Sequence, residues 1–467
     1  MKFVLDEAIE TLQKNFVFNS SLGSKELFHS NLLAMLLMQN DSCDELLKSV
    51  AQELANFFKP TGNASEKYRV ISVFREFHNF DLSIAYLDED FYEQIKSMEH
   101  GEAILEALRN ATETLSLKDL EANTESSQLQ DILKILQQNC KFVIVENKFK
   151  SIPEDLQLCE YICKVNRKIP YICAGKSSVK INLENTTFYL LTPNYPARDM
   201  PDILSTWKQI YYAHIIKKID NSIDKFGKEN SFSTRYLKEY CEMLRLHIWI
   251  STEITLFQKM HKAVFPEKLF SDKLDLIRLK DFFEKAWFSK LAYHLGVFWP
   301  KEENVIKEIG YTNGHGMIGF RNVPHDGSRI TFGVEMQNKM FRFYVQPLPA
   351  KYYRAVELDE KIRQGHLPDN RTKTYHWTNF DKDSFYKVLD KARKDTLREI
   401  NDEGFIVDVP QALNKFNDFK YVYVKLSDET SQKQLVELSK IALEKLGKMI
   451  QKNRDLFKVQ SKTNKFM

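Results

Sequence analysis

The chain has 467 residues and a mass of 54.9 kDa, which at roughly 150 residues per domain suggests about two or three domains and ample material for buried cores. Hydrophobic residues make up 43%, charged residues 28% and aromatic residues 12%, which excludes global disorder, collagen-like repeats and low complexity. The net charge is only +3, so any affinity for nucleic acid has to come from local patches.

Residues 2–17 and 24–39 read as amphipathic helices, the second with Leu27, Leu32, Leu33, Leu36 and Leu37 on one side. The stretches 68–77 and 80–87 are rich in β-branched and aromatic residues, and His78-Asn79 between them predicts a hairpin. Residues 88–137 differ in kind. Between 88 and 131 there are 12 acids against 3 bases, a net charge of −9, in a helical pattern. This is expected to be an acidic helical insertion between two strands. Residues 141–149 then give the strongest strand of the chain, apolar at Phe142, Val143, Ile144 and Val145 as a strand covered on both faces would be.

A helix is expected over 153–166, strands over 169–174 and 186–192, and helices over about 202–218 and 233–262. After helices near 273–296, the stretches 317–323, 329–337 and 341–347 read as an antiparallel meander. A helix at 381–400, a strand at 419–426 and a helix at 430–452 follow. The expected fold class is α/β, with residues 1–265 as one domain and an α+β domain over 266–467.

No apolar run approaches the roughly 18 residues of a membrane span, and Asp6, Glu7 and Glu10 stand where a signal peptide would be apolar. The expected location is therefore the cytoplasm, with no membrane partner. The six cysteines form no C-x-x-C pair and are expected to be free thiols; an iron–sulfur cluster would need tighter ligand pairs. Gly175-Lys176-Ser177 ends like a phosphate-binding loop. Pro170 stands where that loop needs its first glycine, which excludes the ATPase reading.

The chemistry concentrates at Glu146-Asn147-Lys148, the end of the strongest strand. Side chains alternate along a strand, so Glu146 and Lys148 project from one side and Asn147 from the other. Asp81 opens the preceding strand, and if the two strands are neighbours Asp81 and Glu146 converge. Converging carboxylates repel unless a cation lies between them, and a hard, oxygen-liganded ion such as Mg²⁺ or Mn²⁺ suits that site. The backbone carbonyl of Asn147 can add a ligand. A lysine alongside can orient or deprotonate a water and stabilise charge on a phosphate. By itself E-x-K is common at solvent-facing strand ends. Gln157 and Tyr161, four apart on the following helix, and Glu26 and His29, three apart on an earlier one, add to it.

This ordered set resembles the PD-(D/E)XK nuclease superfamily: Glu26 on the first helix, Asp81 on the second strand, Glu146-Asn147-Lys148 on the third, and Gln157 with Tyr161 on the next helix. The Gln-x-x-x-Tyr element resembles the lambda-exonuclease and RecB-like branch. The stretch Glu26-Leu27-Phe28-His29-Ser30 looks like the start of a bacterial group of that superfamily known mainly from genome sequences. The resemblance covers about residues 20–195. It implies a restriction-endonuclease-like αβββαβ core and a nuclease dependent on Mg²⁺ or Mn²⁺ that acts on DNA, or on RNA. Asp81 and Glu146 would be metal ligands, Glu26 would help hold a metal directly or through water, and Lys148 would be the catalytic lysine. Gln157 and Tyr161 would position the phosphate or the lysine. A role in defence against foreign DNA follows from the resemblance alone. Two departures stand out. Phe80 replaces the proline that names the superfamily, and Asp81 and Glu146 lie 65 positions apart, a gap filled by the acidic insertion.

A module that keeps this fold but binds nucleic acid or a protein without cleaving is the rival expectation. The net −9 insertion is expected to stay off the nucleic acid and to regulate the site or join two copies of the chain, because its apolar residues need a partner surface, either on this chain or on a second copy; a helical hairpin packed on its own domain is the plainer alternative. Positive surfaces are expected at Lys164, Arg167 and Lys168, and along 440–467, where 8 bases face 2 acids and an exposed tail is expected.

Overall fold

The structure is a computed structural model. It describes the chain except at residues 1, 22–25, 62–66, 111–114, 117–126, 150–154, 175–176, 194–205, 262–263, 267, 281–282, 285–286, 289–290, 292–294, 296–304, 313–314, 323–328, 349–370, 401–403, 408, 410–411 and 466–467. The chain divides into two compact units, Met1–Trp249 and Ile250–Met467, so the division falls within the helix Phe232–His261, upstream of the expected boundary after residue 265.

The first unit begins with helices α1 (Lys2–Lys14), α2 (Phe16–Ser21), α3 (Glu26–Leu37) and α4 (Glu45–Phe57). Helix α4 starts where Asp44 accepts from the backbone N–H groups of Leu46 and Leu47, a carboxylate cap that satisfies two orphan donors. Strand β1 (Tyr68–Arg75) turns through His78-Asn79 into β2 (Leu82–Asp88), which runs antiparallel to it. Helices α5 (Glu89–Lys96), α6 (Gly101–Asn110) and α7 (Ser127–Asn139), with the short strand β3 (Leu115–Ser116), follow before β4 (Lys141–Asn147). Helix α8 (Asp155–Asn166), strands β5 (Ile169–Ala174), β6 (Ser177–Ile181) and β7 (Thr186–Thr192), strand β8 (Trp207–Tyr211) and helices α9 (Tyr212–Phe226) and α10 (Phe232–His261) complete it.

The main sheet has the order β1-β2-β4-β7-β8. The pairs β1–β2 and β2–β4 are antiparallel, and β4–β7 and β7–β8 are parallel. Strand β4 is central, and Phe142, Val143, Ile144 and Val145 are all buried. Its two faces meet different layers. Phe142 packs edge-on against Tyr171 of β5, with ring centroids 5.0 Å apart, whereas Asn147 bonds Ser30 of α3 and Tyr212 of α9. Helices thus cover one face, and α8 with the small sheet β3-β5-β6 covers the other.

The helix expected over 202–218 is replaced in part by a strand. Trp207–Tyr211 is an edge strand parallel to β7, and the helix begins at Tyr212. The WKQIY segment buries Trp207 and Ile210, three apart, so no alternation marks it as a strand, and it becomes one only by pairing with a strand upstream. The acidic segment between β2 and β4 is helical. Tyr92, Ile95, Leu108, Ile132 and Leu136 are buried within this one chain and do not call for a second copy, whereas Phe91 is half-buried. Arg69 of β1 helps hold the segment in place, with its guanidinium 4.2 Å over the Tyr92 ring and 3.0 Å from Asp41.

The second unit carries helix α11 (Lys268–Leu276) and an antiparallel sheet of seven strands among the described residues. They are β9 (Val305–Thr312), β10 (His315–Asn322), β11 (Ile330–Gln337), β12 (Met340–Pro347), β14 (Ile406–Val407), β15 (Asn414–Phe416) and β16 (Phe419–Leu426); β13 (Arg371–Trp377) lies outside this sheet. Helices α12 (Lys382–Ile400) and α13 (Gln432–Lys452) pack on each other and on this sheet. The lysine-rich segment expected as a tail after α13 is exposed at Lys458, Gln460 and Ser461 but is not irregular. The segment β17 (Val459–Lys465) is instead paired antiparallel with β13, and Lys445, Lys448 and Lys458 are engaged with Glu399, Glu444 and Asp455. No helix among the described residues is long and apolar enough to cross a membrane.

Candidate active site

Strand pairing brings the site together. The antiparallel ladder between β2 and β4 pairs Leu82 with Val145, so the next positions outward are Asp81 and Glu146. Asp81 Oδ2 accepts from the backbone N–H of Asn147 at 2.7 Å, which fixes its carboxylate against the end of β4. The backbone N–H of Lys148 donates to Leu191 O of β7 at 2.9 Å and extends the central strand's anchoring.

Glu146 is 1% exposed. Its Oε1 accepts from Lys148 Nζ at 2.7 Å and from Gln157 Nε2 at 3.0 Å. Its Oε2 is buried and has no hydrogen-bond donor. Burial pushes the Glu146 carboxyl up to about 8; Lys148 pulls it back, and Asp81 pushes it further. The two carboxylates therefore act on each other as expected for neighbours, and the ionised state is held back for want of compensating charge.

Helix α8 supports this cluster from the side. Gln157 Nε2 also lies 2.9 Å from the Tyr161 hydroxyl, the contact expected for positions four apart on a helix. The Tyr161 hydroxyl in turn donates to Asn79 O at 2.8 Å. Burial, and then the charge of Glu146, push this phenol's pKa up, so it stays a donor. Phe80, at the position of the superfamily's proline, is fully buried and meets the Tyr161 ring edge-on at 5.0 Å. It fills space against the residue that orients Gln157.

Asn147 points away from Glu146 and Lys148, as alternation requires. Its Nδ2 donates to Ser30 Oγ at 3.1 Å and its Oδ1 accepts from the Tyr212 hydroxyl at 2.9 Å. The sequence reading assigns no role to either partner. They lie 117 and 65 positions from Asn147, and no local pattern links them to it. His29 is fully buried, its ring stacked on Phe149 with centroids 3.9 Å apart and its Nδ1 3.3 Å from the Tyr240 hydroxyl. Burial and nearby His247 hold its pKa well below the usual value, so it is a neutral packing residue. Glu26 opens α3, and its side chain lies outside the described residues.

Asp81, Glu146, Lys148, Gln157 and Tyr161 are thus brought together. The donor set suits a hard divalent cation, because it offers carboxylate oxygens from two strands and one buried oxygen, Glu146 Oε2, that no proton donor satisfies. No group of three or more His, Cys, Asp or Glu side chains able to hold a metal occurs among the described residues. Two carboxylates with backbone or water ligands remain a usual arrangement for Mg²⁺. Cys43, Cys140, Cys159, Cys163 and Cys241 are free thiols.

No curated protein and no solved structure matches the chain. One family does match, over residues 15–242, a span that contains α3, the whole main sheet and every residue of the site just described. Its members are nucleases that generally use divalent metal ions. Residues 15–242 of this chain belong to the PD-(D/E)XK nuclease superfamily.

Proposed function

We propose that this protein is a metal-dependent nuclease that hydrolyses DNA phosphodiester bonds. One observation carries the reading: a buried Glu146 carboxylate, with one oxygen held by Lys148 and Gln157 and the other unsatisfied, faces Asp81 across adjacent strands. A desolvated carboxylate beside a second one costs stability, and such costs are often kept where they serve chemistry. The order α3, β1, β2, β4, α8, β7 supports a restriction-endonuclease-like αβββαβ core. The Gln157–Tyr161 pair supports the lambda-exonuclease and RecB-like branch. Defence against foreign DNA fits the reading and rests on the resemblance.

In this reading Asp81 and Glu146 would hold Mg²⁺ or Mn²⁺ with the Asn147 carbonyl, and Glu26 would help directly or through water. The ion would supply a Lewis acid at the phosphate and lower the pKa of water. Lys148 Nζ orients the attacking water and offers positive charge to the phosphate oxygens as negative charge grows on them. Gln157 holds Glu146 and, through Tyr161 and Asn79, fixes the helix against the turn before β2. Ser30 and Tyr212 hold Asn147 from behind, so the strand end keeps Glu146 and Lys148 on the substrate side.

The test is incubation of the protein with labelled linear DNA, circular DNA and RNA in Mg²⁺, Mn²⁺ or EDTA, beside Asp81→Ala. Metal-dependent cleavage lost in Asp81→Ala is expected. Binding without cleavage under every condition would overturn it in favour of a catalytically silent module.

A further inference from the structure

A cleft of about 330 Å³ opens next to this site, lined by His78, Asn79, Lys164, Arg167, Lys168 and Pro170. It is made where the turn between β1 and β2 meets the C-terminal end of α8. The turn is strained. Glu76, His78 and Asn79 have φ of 53°, 52° and 67°. Asparagine tolerates the left-handed region, but a glutamate or histidine there costs about 1 kcal/mol or more. Two bonds from α8 hold it: the Tyr161 hydroxyl to Asn79 O at 2.8 Å, and Lys164 Nζ to His78 O at 3.2 Å. The hydroxyl that anchors this turn is the one bonded to Gln157, so the cleft and the Glu146 cluster share a support.

The cleft gathers positive charge. Among the described residues no carboxylate forms an ion pair with Lys164 or Lys168. Burial lowers the pKa of Lys164, with Glu160 and Glu146 acting against it, and burial followed by Lys164 lowers that of His78. Cations near a helix C-terminus are favourable by themselves. That preference requires neither a strained turn nor a cleft. The spacing suits a strand of nucleic acid. At 1.5 Å per residue, Lys164 lies about 10 Å along the helix from Gln157, within the reach of a short stretch of one strand.

We propose that this cleft is a phosphate subsite of the nucleic-acid strand, taking a phosphate close to, but distinct from, the one at Glu146 and Lys148. Its place relative to the cut rests on the nuclease reading. The phosphate is an internal diester or a terminal monoester; both offer anionic non-bridging oxygens to Lys164, Arg167 and Lys168, the monoester one more and with greater charge.

The test uses the full chain with Lys164→Gln and with Arg167→Gln/Lys168→Asn; asparagine suits the left-handed conformation of Lys168, whose φ is 62°. Binding of labelled DNA is measured in EDTA over a range of salt, and cleavage in Mg²⁺. Each variant should weaken binding about tenfold and make the dependence of log K on log salt shallower by roughly 0.7–0.9 for each phosphate that the variant no longer neutralises. In cleavage, KM should rise by more than kcat falls. An effect confined to linear DNA with a 5′- or 3′-phosphate assigns the terminal monoester, and an equal effect on circular DNA assigns the internal diester. Wild-type affinity and salt slope in both folded variants would overturn the subsite. A wild-type protein that binds with this salt signature but never cleaves would retain the subsite and remove the nuclease reading instead.

Discussion

Lys148 Nζ lies 2.7 Å from Glu146 Oε1, an ion pair made across the one residue between them. It follows from strand alternation, which turns Asn147 to the opposite layer. It also makes Glu146 asymmetric: Oε1 serves Lys148 and Gln157, and the buried Oε2 serves neither.

That asymmetry separates the roles of the three residues. Asp81→Ala and Glu146→Ala should each lower cleavage by about 10³-fold or more and weaken Mn²⁺ binding, as loss of an oxygen ligand would. Lys148→Ala should lose cleavage yet bind Mn²⁺ as well as the wild type or better, because it removes a competing cation. Isothermal titration with Mn²⁺ and a gel-based cleavage assay read the two effects separately. Full activity in a pure Glu146→Ala sample would sink the assignment.

Glu146 also sets a pH dependence in metal-free protein. Its carboxyl is raised from 4.5 to about 8 in the fold. Between those values the folded chain keeps a proton that the unfolded chain releases, so this group removes stability as pH rises through the window. Glu146→Gln lacks the transition. In EDTA it should match the wild type near pH 4 and exceed it near pH 9 by on the order of a few kcal/mol in urea unfolding. Parallel stability curves for the two proteins would contradict the burial of this carboxyl, whose cost Lys148 offsets only in part.

The buried histidines act in the opposite sense. Burial lowers His247 from 6.5 to about 4, and holds His29 well below 6.5 as well. Below about pH 6.5 the unfolded chain takes up protons that the folded chain refuses, so stability falls as pH drops towards 4. His29→Phe keeps an aromatic ring against Phe149 and should make this acid limb shallower. Unfolding curves at pH 7 and pH 5 suffice; an unchanged difference between them would mean that His29 does not contribute.

Tyr161→Phe removes the hydroxyl shared by Gln157 and Asn79. The expected loss of stability is about 1–2 kcal/mol. Cleavage should fall about tenfold in kcat with Mn²⁺ affinity largely kept, since the hydroxyl positions Gln157 and is not itself an assigned ligand. A fall in Mn²⁺ affinity instead would place Tyr161 nearer the ion than these bonds imply.

Leu108 of α6 is fully buried inside its own chain. Leu108→Ala should therefore cost about 2–5 kcal/mol, the range for a core leucine. The melting temperature of the wild type should not depend on protein concentration through this helix. A concentration dependence abolished by Leu108→Ala would return the acidic insertion to an interface between copies.

The sequence alone determined the strands that carry Asp81 and Glu146, the face shared by Glu146 and Lys148, and the pairing of Gln157 with Tyr161. Each rests on a local period, two along a strand and about 3.6 along a helix, which any short window displays. The rest depended on packing between distant segments. Trp207–Tyr211 reads as part of a helix until β7 supplies its hydrogen bonds, and Val459–Lys465 reads as a charged tail until β13 does. The apolar residues of the acidic insertion advertised a need for a partner without showing that β1 and β2 meet it. Ser30 and Tyr212 became supports of Asn147, and His78 and Asn79 part of a basic cleft, only once the sheet brought them together. Periodicity sets which side of its own element a residue occupies, and the packing of elements far apart in the chain decides what lies opposite it.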